Sequence, residues 1–345
     1  MKRELWLDYS RSFACILVAI GHMLMSFQDA SILNTGGIVS FFIKFIYHFH
    51  VYIFFFCGGY LFQKKFQAYS VWKEYWKNKL IRCFDYLVIY IIFSAITYFI
   101  KVLLSGNVNT PVNESFLHTL IRNPINQMWY MYAILVITLF VPVIRSRFSC
   151  YASLIIAATA KTIMCIPAVA ELIPHPFDYL MNNSIWFLTG SIWAYKKTFI
   201  TKKSICILLL FFIITSVVVY IYNVNLSFIN TLLTLSGMLG TIELIRKLTI
   251  NRHSMSFIGH IISKYSFQIY LLHTISAAGI RIILLKFNID NFILHLIMGL
   301  FFSFIVPIIS AFVAERTRIL NVFFFPSKTI AQLIKNKGTD AICNQ

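Results

Sequence analysis

Arg11 and His22 fall in one apolar stretch, Leu5 to Met25, with the arginine near its start and the histidine near its end. On an α-helix, at roughly 100° per residue, their separation is about three turns, which aligns both side chains on one face about 16 Å apart. An arginine supplies a planar, permanently charged donor fork suited to phosphate, and a histidine exchanges protons near neutral pH. Both are costly at membrane depth, where such groups face a protein interior or a watered cavity and mark functional sites. Together they suit a reaction that joins a phosphate-bearing donor, arriving at the arginine, to an acceptor nearer the histidine. Asp8, one turn before Arg11, either orients the guanidinium or neutralises it. A lone intramembrane histidine commonly just ties helices together through a hydrogen bond. Sharing a stripe with Arg11 moves His22 towards function.

The elements that must position this pair are membrane spans. With 59% hydrophobic and only 12% charged residues among 345, the chain is no ordinary soluble globule. Its apolar runs predict an all-α integral membrane protein with about ten transmembrane helices, at 5–26, 38–62, 82–104, 127–144, 150–168, 184–195, 204–222, 226–245, 265–284 and 291–314. Most approach the roughly 20 residues a bilayer requires, and the sixth is the shortest.

The formal charge of +18 would suggest nucleic acid in a soluble chain. Here its placement matters more. Taking loops alternately, one side collects most of the thirty basic residues: Lys2 and Arg3, the cluster from Lys64 to Arg82, Arg145 and Arg147, Lys196 to Lys203, Arg246 to Lys264, and Arg316 to Lys337. The other side holds only Lys44, Lys101, Arg122, Arg281 and Lys286, while Arg11 and Lys161 lie within spans. By the positive-inside rule both termini are cytoplasmic, which requires an even number of spans. The charge is topology, and no nucleic-acid partner is expected.

Glu4 and Asp8 interrupt the opening stretch, and no small-residue cleavage site follows it, so it is expected to stay in the membrane. The seven cysteines show no CxxC and no clustered histidine partners, so neither a disulfide framework nor a metal site is expected. The domain reading is a transmembrane unit over 1–318 and a short basic cytoplasmic tail over 319–345, lying along the membrane surface. Three outer loops, 27–37, 105–126 and 169–183, are long enough to matter. Glu114, His118, Glu171, His175 and Asp178 suit hydrogen bonding to a polar acceptor such as a sugar, or are simply solvated. The largest inner loop, Gln63 to Lys79, interleaves lysines with Trp72, Tyr75 and Trp76. It suits either a helix lying on the membrane surface, with these aromatics at the lipid headgroups, or capture of an anionic cytosolic ligand. Lys161 is expected to pair with a carboxylate or carbonyl, and Glu243 to sit at the interface near Arg246.

Several segments now carry a resemblance. LDYSRSFACILVAIGHML resembles the opening helix of the acyltransferase 3 family of membrane-bound acyltransferases, in which an arginine is followed by ten residues and a histidine. In the expected order, FHVYIFFFCGGYLF at 49–62 resembles its Phe-His-Met-Pro and Ser-Gly second helix, and KNKLIRCFDYLVIY the basic lead into its third. MWYMYAIL at 128–135, which contains Trp129, resembles its Leu-Trp-Phe-Leu helix, and YSFQIYLLH at 265–273 its Ile-Tyr-Leu-x-His helix. The chain departs from the pattern where Val51 and Tyr52 replace Met-Pro, Gly58 stands in place of Ser, and Asp85 in place of Pro. Without the proline, the second helix is expected to run straighter.

The resemblance implies a multi-pass enzyme of the bacterial cytoplasmic membrane. It would transfer an acyl group, usually acetyl from acetyl-CoA, to a sugar hydroxyl of a surface polysaccharide such as an O-antigen, or of a lipid-linked glycan. His22 then acts as general base on the acceptor hydroxyl. Arg11 binds a phosphate or pantetheine amide of the donor, with Arg82 and the lysine-rich loop as further contacts. His50 orients the base or donates to the oxyanion. Gly59 is carried over with Phe49 and His50, while Asp8, Trp129 and His273 are lesser candidates, and Trp129 also reads as a wall residue. A covalent acyl-enzyme lacks any evident Ser-His-Asp or Cys-His order. A transporter or flippase of a glycan intermediate is the alternative, although such proteins usually show inverted repeats or paired broken helices.

Overall fold

The computed structural model describes residues 4–30, 32–33, 36–197, 200–317 and 320–343, with side chains through 334, and it contains helices and no strand among them. Lys2, Arg3 and Arg318, counted above on the basic side, and the boundary at 318/319 lie outside the described residues. Among the described residues, seven helical segments are long and apolar enough to cross a membrane. They are α1 (Leu5–Asp29), the pair α2 (Gly37–Tyr47) and α3 (His50–Phe66), α4 (Trp72–Leu103), α10 (Lys202–Ile221), α11 (Ser227–Thr249), α12 (Phe257–Lys286) and α13 (Phe292–Arg316). The chain is an all-α membrane protein. In lipid every backbone polar group must be satisfied within the element, which a helix does and an open strand does not.

The other three expected spans are also helical. α6 (Met128–Phe140) has 13 residues and α7 (Arg147–Ile163) has 17. α9 (Phe177–Lys196) has 20, longer than the 184–195 read from hydropathy because Asp178, Asn182 and Asn183 lower its apolar signal without breaking the helix. Short helices α5 (Phe116–Ile121) and α8 (Pro167–Ala170) lie in the connections, and α14 (Pro326–Cys343) follows α13.

Two expectations are corrected. The second apolar run is not straight. α3 is unbroken through Val51 and Tyr52, where the proline is missing, but the run breaks earlier, at His48 and Phe49, where Phe49 takes φ −139° and ψ −22°, so α2 and α3 are separate helices. The connection over Gln63 to Lys79 is shorter than expected, because α3 continues to Phe66 and α4 begins at Trp72, which makes its aromatic-rich half helical. Lys79, the last lysine of that stretch, is 1% exposed, and its ammonium donates to the Tyr75 hydroxyl (3.2 Å) and the Val141 carbonyl (3.1 Å). Its long stem and the indole of Trp76, 4.8 Å away, let the cation sit inside.

α1 is the interior helix. In its apolar window 56% of residues are buried, against 17% for α10, whose Ile207, Leu210, Ile214 and Ile221 stay exposed as a lipid-facing surface would. α1 packs against α12, α3, α11 and α13. α3 and α9 cross most closely of all. A Cβ on Gly59 would lie 1.8 Å from the Phe187 carbonyl oxygen, and one on Gly190 would lie 1.9 Å from that of Phe56. Small residues that let backbones touch drive helix association in membranes, and here Ser191 Oγ also donates to the Gly59 carbonyl at 3.0 Å.

Candidate active site

α1 is unbroken from Leu5 to Asp29, so Arg11 and His22 keep the helical register their spacing implies. They open onto two different cavities. Arg11 lines one of about 600 Å³ together with Asp8, Arg82, Tyr86, Lys264 and Lys328. His22 lines another of about 530 Å³ together with His273, Lys101, Asn109, Thr274 and Arg281. α12 runs alongside α1, with Ser263 to Gln268 on the first cavity and His273 to Ile282 on the second. Tyr270 stands between these stretches. Its ring lies 5.2 Å from Tyr130 and 6.4 Å from His273, and its hydroxyl donates to the Gln127 carbonyl.

At the Arg11 end, Nη2 donates to Asp8 Oδ1 at 2.6 Å and reaches Ser263 Oγ at 3.5 Å, while the buried Nε has no partner among the described residues. Asp8 thus holds one edge of the guanidinium and leaves Nε without an acceptor. Arg82 extends from α4, with Nε donating to the Tyr86 hydroxyl at 2.9 Å. The additional lysines come from α12 and α14, not from the stretch 63–79, none of whose residues lines this cavity. Asp85, which stands where the resembling family has proline, accepts from the backbone N–H and the hydroxyl of Ser327, both at 2.8 Å, and pins α14 to the rim.

At the His22 end the helix break does the positioning. It turns Tyr47 towards α1, where its hydroxyl shares a 3.2 Å hydrogen bond with His22 Nδ1 and points to Met25 Sδ at 3.9 Å. Gly21 leaves the room, since a Cβ there would meet the Tyr47 ring at 3.1 Å. His273 is the nearest imidazole, 5.3 Å from His22 between ring centroids. Its Nδ1 donates to the Ile269 and Tyr270 carbonyls, and its buried Nε2 has no partner among the described residues. His50 stands behind Tyr47, 4.8 Å away, and lines neither cavity. Its Nδ1 donates to the Ile46 carbonyl at 2.7 Å. In their neutral forms both histidines therefore present a lone pair at Nε2, suited to accepting a proton, whereas an oxyanion needs a donor.

Gly59 belongs to the α3–α9 crossing, and Trp129 packs near Phe55 and Tyr130, at 6.2 and 6.4 Å; neither lines these two cavities. The outer-loop groups pair locally. His118 Nδ1 meets Glu114 at 2.8 Å, holding that carboxyl below the usual range with help from Asn123, and His175 meets Asp178 at 2.8 Å. Asn109 and Thr110 of the same loop reach the second cavity instead. Lys161 donates to the Asn182 amide oxygen at 2.9 Å. Glu243 is fully buried, not interfacial, and receives a two-point contact from Arg246 at 2.8 Å each. Tyr47, Thr274 and Arg281 did not emerge as site residues from the sequence.

A family model described as an acyltransferase domain matches residues 4–312. Neither a curated protein nor a solved structure matches the chain.

Proposed function

The chain belongs to the acyltransferase 3 family of membrane acyltransferases, and from that premise we propose that it moves an acetyl group from acetyl-CoA to a hydroxyl of a surface polysaccharide or lipid-linked glycan. The observation that carries this reading is that one unbroken helix presents Arg11 to one cavity and His22 to another. The loop charges support placing the Arg11 end in the cytosol, where acetyl-CoA is available, with the chain a multi-pass protein of a bacterial cytoplasmic membrane. Residues 1–318 are then the transmembrane unit, with the following segment held to its cytosolic rim by Asp85.

Arg11, Arg82, Lys264 and Lys328 gather the positive charge that an anionic nucleotide end requires. The pantetheine arm extends past Tyr130 and Tyr270, about 16 Å along α1, and brings the thioester to His22. There the tautomer matters. With the Tyr47 hydrogen directed to Met25 Sδ, its oxygen accepts from His22 Nδ1–H, and Nε2 keeps its lone pair. Nε2 takes the proton of the acceptor hydroxyl as that oxygen attacks the thioester carbon. The C–S bond then breaks, and the proton passes to the leaving thiolate of CoA. Tyr47 is a positioning residue in this scheme. His273 lies close enough to steer the acceptor, and His50 steadies Tyr47.

The experiment is transfer of labelled acetyl from acetyl-CoA to glycan in membranes containing the full chain. His22→Ala is expected to lose about 10²–10⁴-fold, the usual worth of a general base. Unchanged glycan acetylation by a properly inserted His22→Ala protein overturns the mechanism.

A further inference from the structure

Arg281 is among the few cations on the side away from the basic loops, yet it is only 4% exposed. It lines the His22 cavity. Its Nη1 donates to the Ser26 carbonyl at 3.3 Å and to the Ser26 hydroxyl. Among the described residues no acceptor takes the hydrogen of its buried Nε. The Nε–Nη2 edge, the fork that grips a carboxylate or phosphate side-on, is therefore left for something else. Lys101 lines the same cavity, anchored through Thr110 at 2.8 and 3.0 Å. Asp29, the one carboxylate in the lining among the described residues, is exposed; it acts electrostatically on Arg281 without hydrogen bonding to it, and it faces the two cations Arg281 and Lys101. Ser26 follows His22 by one helical turn on α1, which sets the guanidinium about 6 Å further along the axis from the proposed base.

Resting on the transferase reading above, we propose that the acceptor is an anionic sugar. Arg281 holds its carboxylate or phosphate while His22 engages a hydroxyl on the same ring or its neighbour. A buried charge that keeps a free donor edge is costly unless an anion completes it. The acid group thereby selects the acceptor and fixes which hydroxyl reaches His22.

The test is competition against labelled acetyl transfer to endogenous glycan in membrane vesicles containing the full chain. Three soluble probes are compared: methyl glucuronide, glucose 1-phosphate and the neutral methyl glucoside. At least one acidic probe is expected to compete at concentrations about tenfold or more below the neutral one, as a hydrogen bond to a charged group warrants. Which acid competes better distinguishes carboxylate from phosphate. Arg281→Gln is expected to equalise acidic and neutral probes, and Arg281→Lys to keep part of the difference. Should Arg281→Gln fail to fold, as judged by size exclusion in detergent, the wild-type comparison and Arg281→Lys still decide. Equal competition by all three probes in the wild type overturns the anionic acceptor and leaves the transferase reading standing. So does an unchanged preference in Arg281→Gln. Absence of any transfer overturns that reading and the acceptor assignment with it.

Discussion

Replacing Tyr47 by phenylalanine removes one oxygen from the His22 end of the molecule and keeps the ring. The hydroxyl lies 3.2 Å from His22 Nδ1 in a partly buried site. A hydrogen bond of this kind contributes about 0.5–1.5 kcal/mol net. If that stabilisation serves to hold the imidazole and its tautomer in the transition state, the rate should fall by roughly two- to tenfold, at about 1.4 kcal/mol per factor of ten. The assay is the initial rate of acetyl transfer at saturating acetyl-CoA, with the KM for acetyl-CoA measured alongside. Because Tyr47 is remote from the Arg11 cavity, that KM should not move. Gly21→Ala provides a second route to the same end, since its methyl group must push against the Tyr47 ring from 3.1 Å and shift the hydroxyl by a few tenths of an ångström. Both variants should lower kcat and leave the donor KM alone. A loss in Tyr47→Phe as large as that in His22→Ala would refute the positioning role, because the hydroxyl would then belong to the chemistry itself. No loss at all would show that the His22 contact plays no part in turnover.

Arg82→Gln should raise the KM for acetyl-CoA by about tenfold or more while kcat changes less, because it removes a charged contact remote from the reacting carbon; an unchanged KM argues against an anion site at the Arg11 end. Gly59→Ala and Gly190→Ala should each destabilise by about 3 kcal/mol, the upper range of overpacking, because the obstacle is backbone and cannot swing aside. Monomer remaining after heating, followed by size exclusion in detergent, checks this, and wild-type resistance in either variant contradicts the close crossing. Glu243→Ala should cost about 3–5 kcal/mol, as expected when one partner leaves a buried ion pair. Glu315→Ala, at the exposed pair with Lys264, should cost under about 1 kcal/mol; similar melting shifts for the two would contradict the difference in burial.

How much of this was legible in the sequence depends on the range of the interactions concerned. Arg11 and His22 could be paired on paper because both lie on one helix, where periodicity alone sets their relation. Arg82 could be joined to them through the basic lead into α4. Tyr47 could not, because its direction depends on the break at His48 and Phe49, and no proline or glycine marks that break. Arg281 looked like one of a few outer cations, since hydropathy registers a charge at a helix end without saying whether it turns to water or inward. The stretch 63–79 misled for a related reason: lysines among aromatics read as a headgroup segment, yet an aliphatic stem and a carbonyl partner suffice to bury Lys79. Glu243 likewise looked interfacial beside Arg246, and its complete burial could not be read from the chain. Helix existence was legible nearly everywhere, and what each polar group faces was not.

The α3–α9 crossing also sets a timetable for biogenesis. Gly59 and Gly190 are far apart in the chain, and at a synthesis rate of about 5–20 residues per second α3 is made on the order of ten seconds before α9. During that interval the surface of α3 destined for backbone contact has no permanent neighbour. Gln63, on the same helix, waits less, because the Ile144 backbone whose N–H and carbonyl its amide satisfies at 2.9 and 2.7 Å arrives earlier. The hydrogen-bonding partner of Gln63 is therefore available to α3 before the partner of its glycine seam. The steps that assemble the His22 cavity come later still, since α12 must be made before His273 and Arg281 can join α1.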